Sequence, residues 1–178
     1  FVGLLTASSK RMPESREAIL PTKQSFGGKM LTQTGVYALR AMSHLAMQEP
    51  SRFISSRDLA EGSNVPPFYL SKVMRKLVNA GLVRSRKGHA GGFAFARSHE
   101  EVTFLDVLEA VNPEEERAEC FFGHDTCDPK NPCLLHFFWM DLQGGFKDWA
   151  RHTNFSDVQR INEKLQFFQG MIARKKQE

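Results

Sequence analysis

Three cysteines give this 178-residue chain its widest chemical reach. Cys120, Cys127 and Cys133 lie within fourteen residues, separated by six residues and then by five. Gly123, Asp128, Pro129, Asn131 and Pro132 surround them, so the segment reads as a loop able to wrap a ligand. An odd count leaves one thiol over in any disulfide scheme, which argues against a disulfide framework. Structural zinc usually comes with a CxxC knuckle, and none is present. The wider spacing suits a larger object, such as an iron–sulfur cluster. Soft thiolates select a cluster or zinc over hard cations, and zinc stays the rival.

Three thiolates leave one coordination position open. His136 follows Cys133 by three residues, one helical turn away, and can point the same way. Its plainer role is a capping or packing histidine, and His124, Asp125 and Asp128 compete for the same position. Nucleophilic catalysis needs one cysteine beside one histidine in a pocket. Three cysteines clustered in a loop do not fit that arrangement, so the chain is not expected to be an enzyme.

A second chemistry is written in the charges. Net charge is +4 and the isoelectric point is near 9.1, a weak sign of nucleic acid on its own. The distribution says more. From Gly62 to His99 there are seven bases (Lys72, Arg75, Lys76, Arg84, Arg86, Lys87, Arg97) and no acid, whereas Glu100 to Glu119 holds eight acids and one base, Arg117. Solvated faces normally mix signs, so a one-sign run of this length favours a polyanion.

Elements must position these groups. Val36, Leu39, Met42 and Leu45 recur at helical spacing, predicting a helix over about 33–48 that Pro50 ends. Phe53-Ile54 suits a short strand or staple. Ser55 with Asp58 resembles a capping box for a short second helix carrying Leu59 and Ala60. Gly62-Ser63-Asn64-Val65 reads as a tight turn. Pro66-Pro67 then opens a helix with Leu70, Val73, Met74, Leu77 and Val78 inward, stopped by Asn79-Ala80-Gly81.

Two helices joined by a short turn, the second one basic, form a helix-turn-helix. Leu82 to Arg86 alternates as a strand, Gly88-His89-Ala90-Gly91-Gly92 turns, and Phe93 to Ala96 returns. A plain hairpin covering the helical core is one reading. Directly after a recognition helix, and flanked by bases, it reads better as a wing whose small residues approach phosphates or a minor groove. In that arrangement Ser71, Lys72 and Arg75 lie near base edges or phosphates. Of Phe68 and Tyr69, one stacks on the DNA backbone and the other is core. Arg84, Arg86 and Lys87 meet phosphates, with His89 and Gly91 at the wing tip.

Thr103 with Asp106 caps a further helix bearing Phe104, Leu105, Val107, Leu108 and Val111, which Pro113 ends. Leu134 to Trp149 is apolar around its whole circumference, which predicts burial against a partner subunit. Asn154 to Glu178 reads as a last helix with Phe155, Val158, Ile161, Leu165 and Phe168 on one side and a basic end.

Composition is that of a soluble globular chain, 41% hydrophobic and 25% charged, and no apolar run nears the ~20 residues of a membrane helix. Phe1 to Leu5 is too short for a secretory h-region. The expected organisation is a leader at 1–29 with Met30 as the natural start, a winged helix-turn-helix domain at 30–112, a cysteine loop at 113–133, and dimerisation and C-terminal helices at 134–178. The fold class is mainly α with a small β-hairpin, and the expected location is the cytoplasm.

These residues together resemble the Rrf2 family of bacterial transcription regulators over about Leu31 to Val158. The resemblance is carried by Leu31-Thr32-Gln33-Thr34-Gly35-Val36-Tyr37-Ala38-Leu39-Arg40-Ala41-Met42, and by Phe68-Tyr69-Leu70-Ser71-Lys72-Val73 running to Asn79-Ala80-Gly81-Leu82-Val83. Arg86-Lys87-Gly88-His89-Ala90-Gly91-Gly92-Phe93 and Cys133-Leu134-Leu135-His136 complete it.

The resemblance implies a homodimer paired through the helix after the cysteine loop, bound to a pseudo-palindromic operator in double-stranded DNA. It also implies sensing of iron–sulfur status, iron, redox state or nitric oxide. Members of the iron–sulfur cluster regulator type use three cysteines and a histidine three residues after the last, matching Cys133 and His136. Nitric-oxide-sensing members borrow a carboxylate from the partner's first helix, where this chain has Val36 and Tyr37. The resemblance therefore implies a histidine-ligated [2Fe–2S] cluster. The first interval here is six residues against five in that pattern, so [4Fe–4S] or zinc stays open, as does a redox-thiol regulator with no cluster.

Overall fold

Six helices and one two-stranded antiparallel sheet make up the computed structural model of the chain, which describes residues 31–49, 52–88, 90–112 and 128–175. The expected leader at 1–29, His89, Cys120 and Cys127 lie outside the described residues.

Helix starts follow the caps. Thr32 Oγ1 accepts the Gly35 N–H at 3.0 Å and opens α1, Gln33–Ala46. Ser55 Oγ accepts the Asp58 N–H at 3.1 Å at the head of α2, Ser56–Ser63. Pro67 occupies the first position of α3, Pro67–Asn79, where its missing N–H costs no helical bond. A reciprocal capping box between Thr103 and Asp106 starts α4, Phe104–Val111.

Two expectations need correcting here. Helix α1 stops at Ala46 rather than 48. The turn expected at Gly62 to Val65 is displaced, because Gly62 and Ser63 belong to α2 and the left-handed residue is Asn64, φ 51°. Asn tolerates that conformation through its short polar side chain. Gly62 instead serves packing: a Cβ there would fall 2.2 Å from His44 Cε1.

Strands β1, Val83–Arg86, and β2, Gly92–Phe95, pair with Val83 opposite Phe95 and Arg86 opposite Gly92. Ile54 extends this hairpin, exchanging backbone hydrogen bonds with Phe93 at 2.9 and 2.8 Å. Gly92 permits the close approach. Its φ is +143°, and a Cβ there would lie 2.0 Å from the Ile54 carbonyl oxygen.

Ala38, Met42 and Leu45 of α1, Leu59 of α2, Leu70, Met74 and Leu77 of α3, and Val107 and Val111 of α4 are buried in one core. Phe155, the first residue of α6 (Phe155–Lys175), closes that core fully buried, its ring 4.9 Å from Phe104 and 5.5 Å from Phe95. Burying such a ring is worth about 1.5–3 kcal/mol, so the last helix helps hold the first four together.

Helix α5, His136–His152, begins two residues later than the apolar run suggested, with Leu134 and Leu135 in the turn before it. Its buried positions are His136, Trp139, Gln143 and Ala150. Leu134, Phe137, Phe138, Leu142 and Trp149 are exposed, Leu134 at 94% and Phe138 at 76%. Within one chain this element buries a histidine and a glutamine while Phe137, Phe138 and Leu142 face outward and Phe146 packs on Leu105, Leu108 and Ala150.

Candidate nucleic-acid interface and metal centre

Positions 68, 71, 72 and 75 of α3 recur at i, i+3, i+4 and i+7 and form one exposed face opposite the buried Leu70, Val73, Met74 and Leu77. Phe68, Ser71, Lys72 and Arg75 thus share a surface. Phe68 is 68% exposed and Tyr69 50%, so the expectation that one of them is core is corrected. Residue 70 already fills the inward position, and the two rings before it project from the helix start.

Both rings are held in place. Tyr69 packs on Tyr37 of α1 at 5.6 Å between centroids and meets Phe68 edge-on at 5.8 Å. Lys72 Nζ lies 4.3 Å above the Phe68 ring. Ser71 donates its hydroxyl to the Pro67 carbonyl at 3.1 Å, which spends its hydrogen inside the helix.

The basic run is less uniform than its sequence suggests. Lys76 donates to the Val111 carbonyl at 2.7 Å and so braces the end of α4. Arg84 donates through Nε to the Phe95 carbonyl at 3.1 Å. Arg86 donates to the Ala90 carbonyl from Nε at 3.2 Å and from Nη2 at 2.5 Å, with its guanidinium 4.2 Å from the Phe53 ring centroid. Those bonds leave three guanidinium N–H groups for other acceptors. Lys87 is exposed beside them.

Gly91 has a structural reason to be small, since a Cβ would fall 2.2 Å from the Arg86 carbonyl oxygen. Phe53, the platform for Arg86, was legible only as a strand or staple residue. Nothing in its sequence context marks the stacking.

At the head of α5, the backbone N–H of His136 donates to the Cys133 carbonyl at 3.0 Å, so two candidate donors share one turn. Cys133 is half-buried and His136 is 5% exposed. Asp128, an expected competitor, accepts the Lys130 N–H at 2.9 Å in a local turn. Cys120, Cys127, His124 and Asp125 lie outside the described residues. Among the described residues no cluster of three or more His, Cys, Asp or Glu could hold a metal ion. Among them also, no helix is long and apolar enough to cross a membrane.

Residues 31–160 match the Rrf2 family model, described as an iron-dependent transcriptional regulator. A candidate HTH-type transcriptional regulator of Aquifex aeolicus is 30% identical over 78% of this chain and 96% of its own length. The HTH-type transcriptional regulator IscR of Vibrio campbellii is 28% identical over 76% of this chain and 80% of its own.

Two solved structures share the fold. IscR of T. potens aligns with a TM-score of 0.61 at 20% identity, covering 76% of this chain and 90% of that one. CymR, the global cysteine regulator of B. subtilis, aligns at 0.59 and 22% identity, covering 74% and 96%. These relatives are regulators of transcription, not enzymes.

Proposed function

The chain belongs to the Rrf2 family of transcriptional regulators, and from that membership we propose that its operator binding is controlled by an iron–sulfur cluster held by Cys120, Cys127, Cys133 and His136. The observation that carries this reading is the turn from Cys133 to His136. It buries an imidazole at 5% exposure one turn from a half-buried thiol, at the head of a helix that leaves Phe137 and Phe138 in solvent. Three thiolates and an imidazole are donors suited to iron–sulfur chemistry. The iron dependence in the family's description supports the same choice. A thiolate-bound cluster supplies sensitivity to iron supply and to oxidation. With His136 in the set and Val36 and Tyr37 on α1, [2Fe–2S] is the form this reading takes.

Binding to DNA follows from the exposed face of α3. Phe68, Tyr69, Ser71, Lys72 and Arg75 enter the major groove, while Arg84, Arg86, Lys87, His89 and Gly91 bring the wing to the backbone. The protein works as a homodimer on a pseudo-palindromic operator. The apolar side chains that α5 leaves exposed support that pairing, because a patch of this kind marks an interaction surface. A switch of this sort requires only a few kcal/mol of differential binding between the two states.

Anaerobic purification with absorption spectroscopy and metal analysis tests the cluster. A coloured, iron- and sulfide-bearing protein is expected. A colourless protein with stoichiometric zinc, or with no metal, rejects it in favour of a structural zinc or redox-thiol regulator.

A further inference from the structure

An exposed phenylalanine at the start of a helix has no folding reason to be there. Phe68 is the second residue of α3, is 68% exposed, and lies outside the buried core. Its ring is nonetheless fixed from two sides, by the edge of Tyr69 at 5.8 Å and by Lys72 Nζ at 4.3 Å above its centroid. Tyr69 is itself anchored on Tyr37. The structure holds a rigid apolar disc at the leading edge of the polar face of α3.

The neighbours on that face define what it can meet. Lys72 and Arg75 donate only, and Ser71 has committed its hydrogen to the Pro67 carbonyl. No Asp or Glu occurs anywhere in α3, so the helix carries no carboxylate to accept from the amino group of cytosine. Lys72 and Arg75 on this face pair with acceptors and Phe68 with one apolar group, while Ser71 Oγ, its hydrogen spent, is left only to accept. Major-groove edges offer a single apolar group, the C5-methyl of thymine, beside the thymine O4 acceptor, and guanine offers two acceptors.

We propose that Phe68 is a specificity-determining residue that selects thymine through its C5-methyl group, with Lys72 donating to an acceptor on a neighbouring base. The spacing fits. Four helical residues rise about 6 Å, close to two steps of about 3.4 Å along one strand, so the base read by Lys72 lies one or two pairs from the thymine. This deepens the operator-binding reading and rests on α3 entering the major groove.

The test uses the full chain, isolated anaerobically, and a duplex selected by that chain from a random library. Each thymine of the half-site is replaced singly by uracil, which lacks only the methyl group, and binding is measured by fluorescence anisotropy. One thymine per half-site should show a loss of about fourfold, the size expected for one buried methyl. Placing 5-methylcytosine there in place of cytosine should tighten binding. Phe68→Ala should bind thymine and uracil duplexes equally, and Phe68→Leu should keep part of the difference.

A uracil penalty of the same size in Phe68→Ala, or no penalty at any thymine in the unmodified protein, overturns the proposal. The second result is what a ring resting on the sugar–phosphate backbone would give. Failure to bind any duplex in a salt-dependent way would instead reject the DNA-binding reading itself.

Discussion

Lys76 Nζ, in the last turn of α3, donates a hydrogen bond to the carbonyl oxygen of Val111, the last residue of α4, at 2.7 Å. One residue further, Asn112 Oδ1 accepts from Thr32 Oγ1, the cap of α1, also at 2.7 Å. Residues 111 and 112, at the end of α4, are therefore tied to α3 and to α1. We expect a change in the segment that follows Asn112 to reach α3 and α1 through these two bonds.

Lys76→Met removes the donor and keeps the stem. The ratio of operator affinities with and without the cluster should shrink toward one, from the 5–150-fold range that couplings of about 1–3 kcal/mol produce. Stability should fall by about 1 kcal/mol. Paired titrations of loaded and cluster-free protein check this, and an unchanged ratio would remove Lys76 from the route.

Substitution separates the bracing of the hairpin by Arg86 from its proposed contact with phosphates. Arg86→Ala should weaken binding to all sequences and reduce the salt slope by about one unit. Arg86→Lys should keep the slope yet loosen the wing, because an ammonium cannot make both bonds to the Ala90 carbonyl while lying on Phe53. Salt titrations with hydrogen exchange at residues 86–92 check both, and full rescue by lysine would contradict the bracing role.

Gly92→Ala should destabilise the protein by about 2 kcal/mol, from a left-handed φ and a Cβ 2.0 Å from the Ile54 carbonyl oxygen. The exchange between Ile54 and Phe93 breaks first. Denaturant unfolding measures the loss, and a variant as stable as the parent would refute the contact.

Lys147 of α5 has its pKa lowered from 10.5 by burial, against the pull of Glu109, with Arg151 adding to the lowering. A lysine with a lowered folded pKa binds fewer protons folded than unfolded, so its contribution to stability rises with pH between the lowered value and 10.5. Below that window the cost of the buried charge is fully present. Lys147→Met should therefore match or exceed the parent at neutral pH, and the advantage should fade as pH approaches 10.5. Thermal melts of both proteins across alkaline pH test the sign, which a growing advantage would reverse.

Periodic apolar positions and short polar caps made much of this readable from the chain. Leu70, Val73, Met74 and Leu77 fell inward as their spacing required, and Thr103 with Asp106 formed the capping box. Contacts between distant residues were hidden. Lys76 looked like one more base in a DNA-facing run, yet it reaches Val111, thirty-five positions away. Phe155 was legible as one apolar position of the last helix, and it closes the core formed by the first four. Of the turn expected at Gly62 to Val65, the left-handed residue is Asn64. His136 was legible by its distance from Cys133, while its burial beneath an exposed apolar face could be learned only from the fold.

Cluster control through His136 is tested by comparing operator affinity between His136→Ala and the parent, each isolated without oxygen and characterised by absorption. The parent should be coloured and change affinity when its cluster is removed, and His136→Ala should show an altered spectrum and a weakened response. An identical spectrum and an identical response in His136→Ala would contradict the ligand set, and a colourless parent would contradict the cluster.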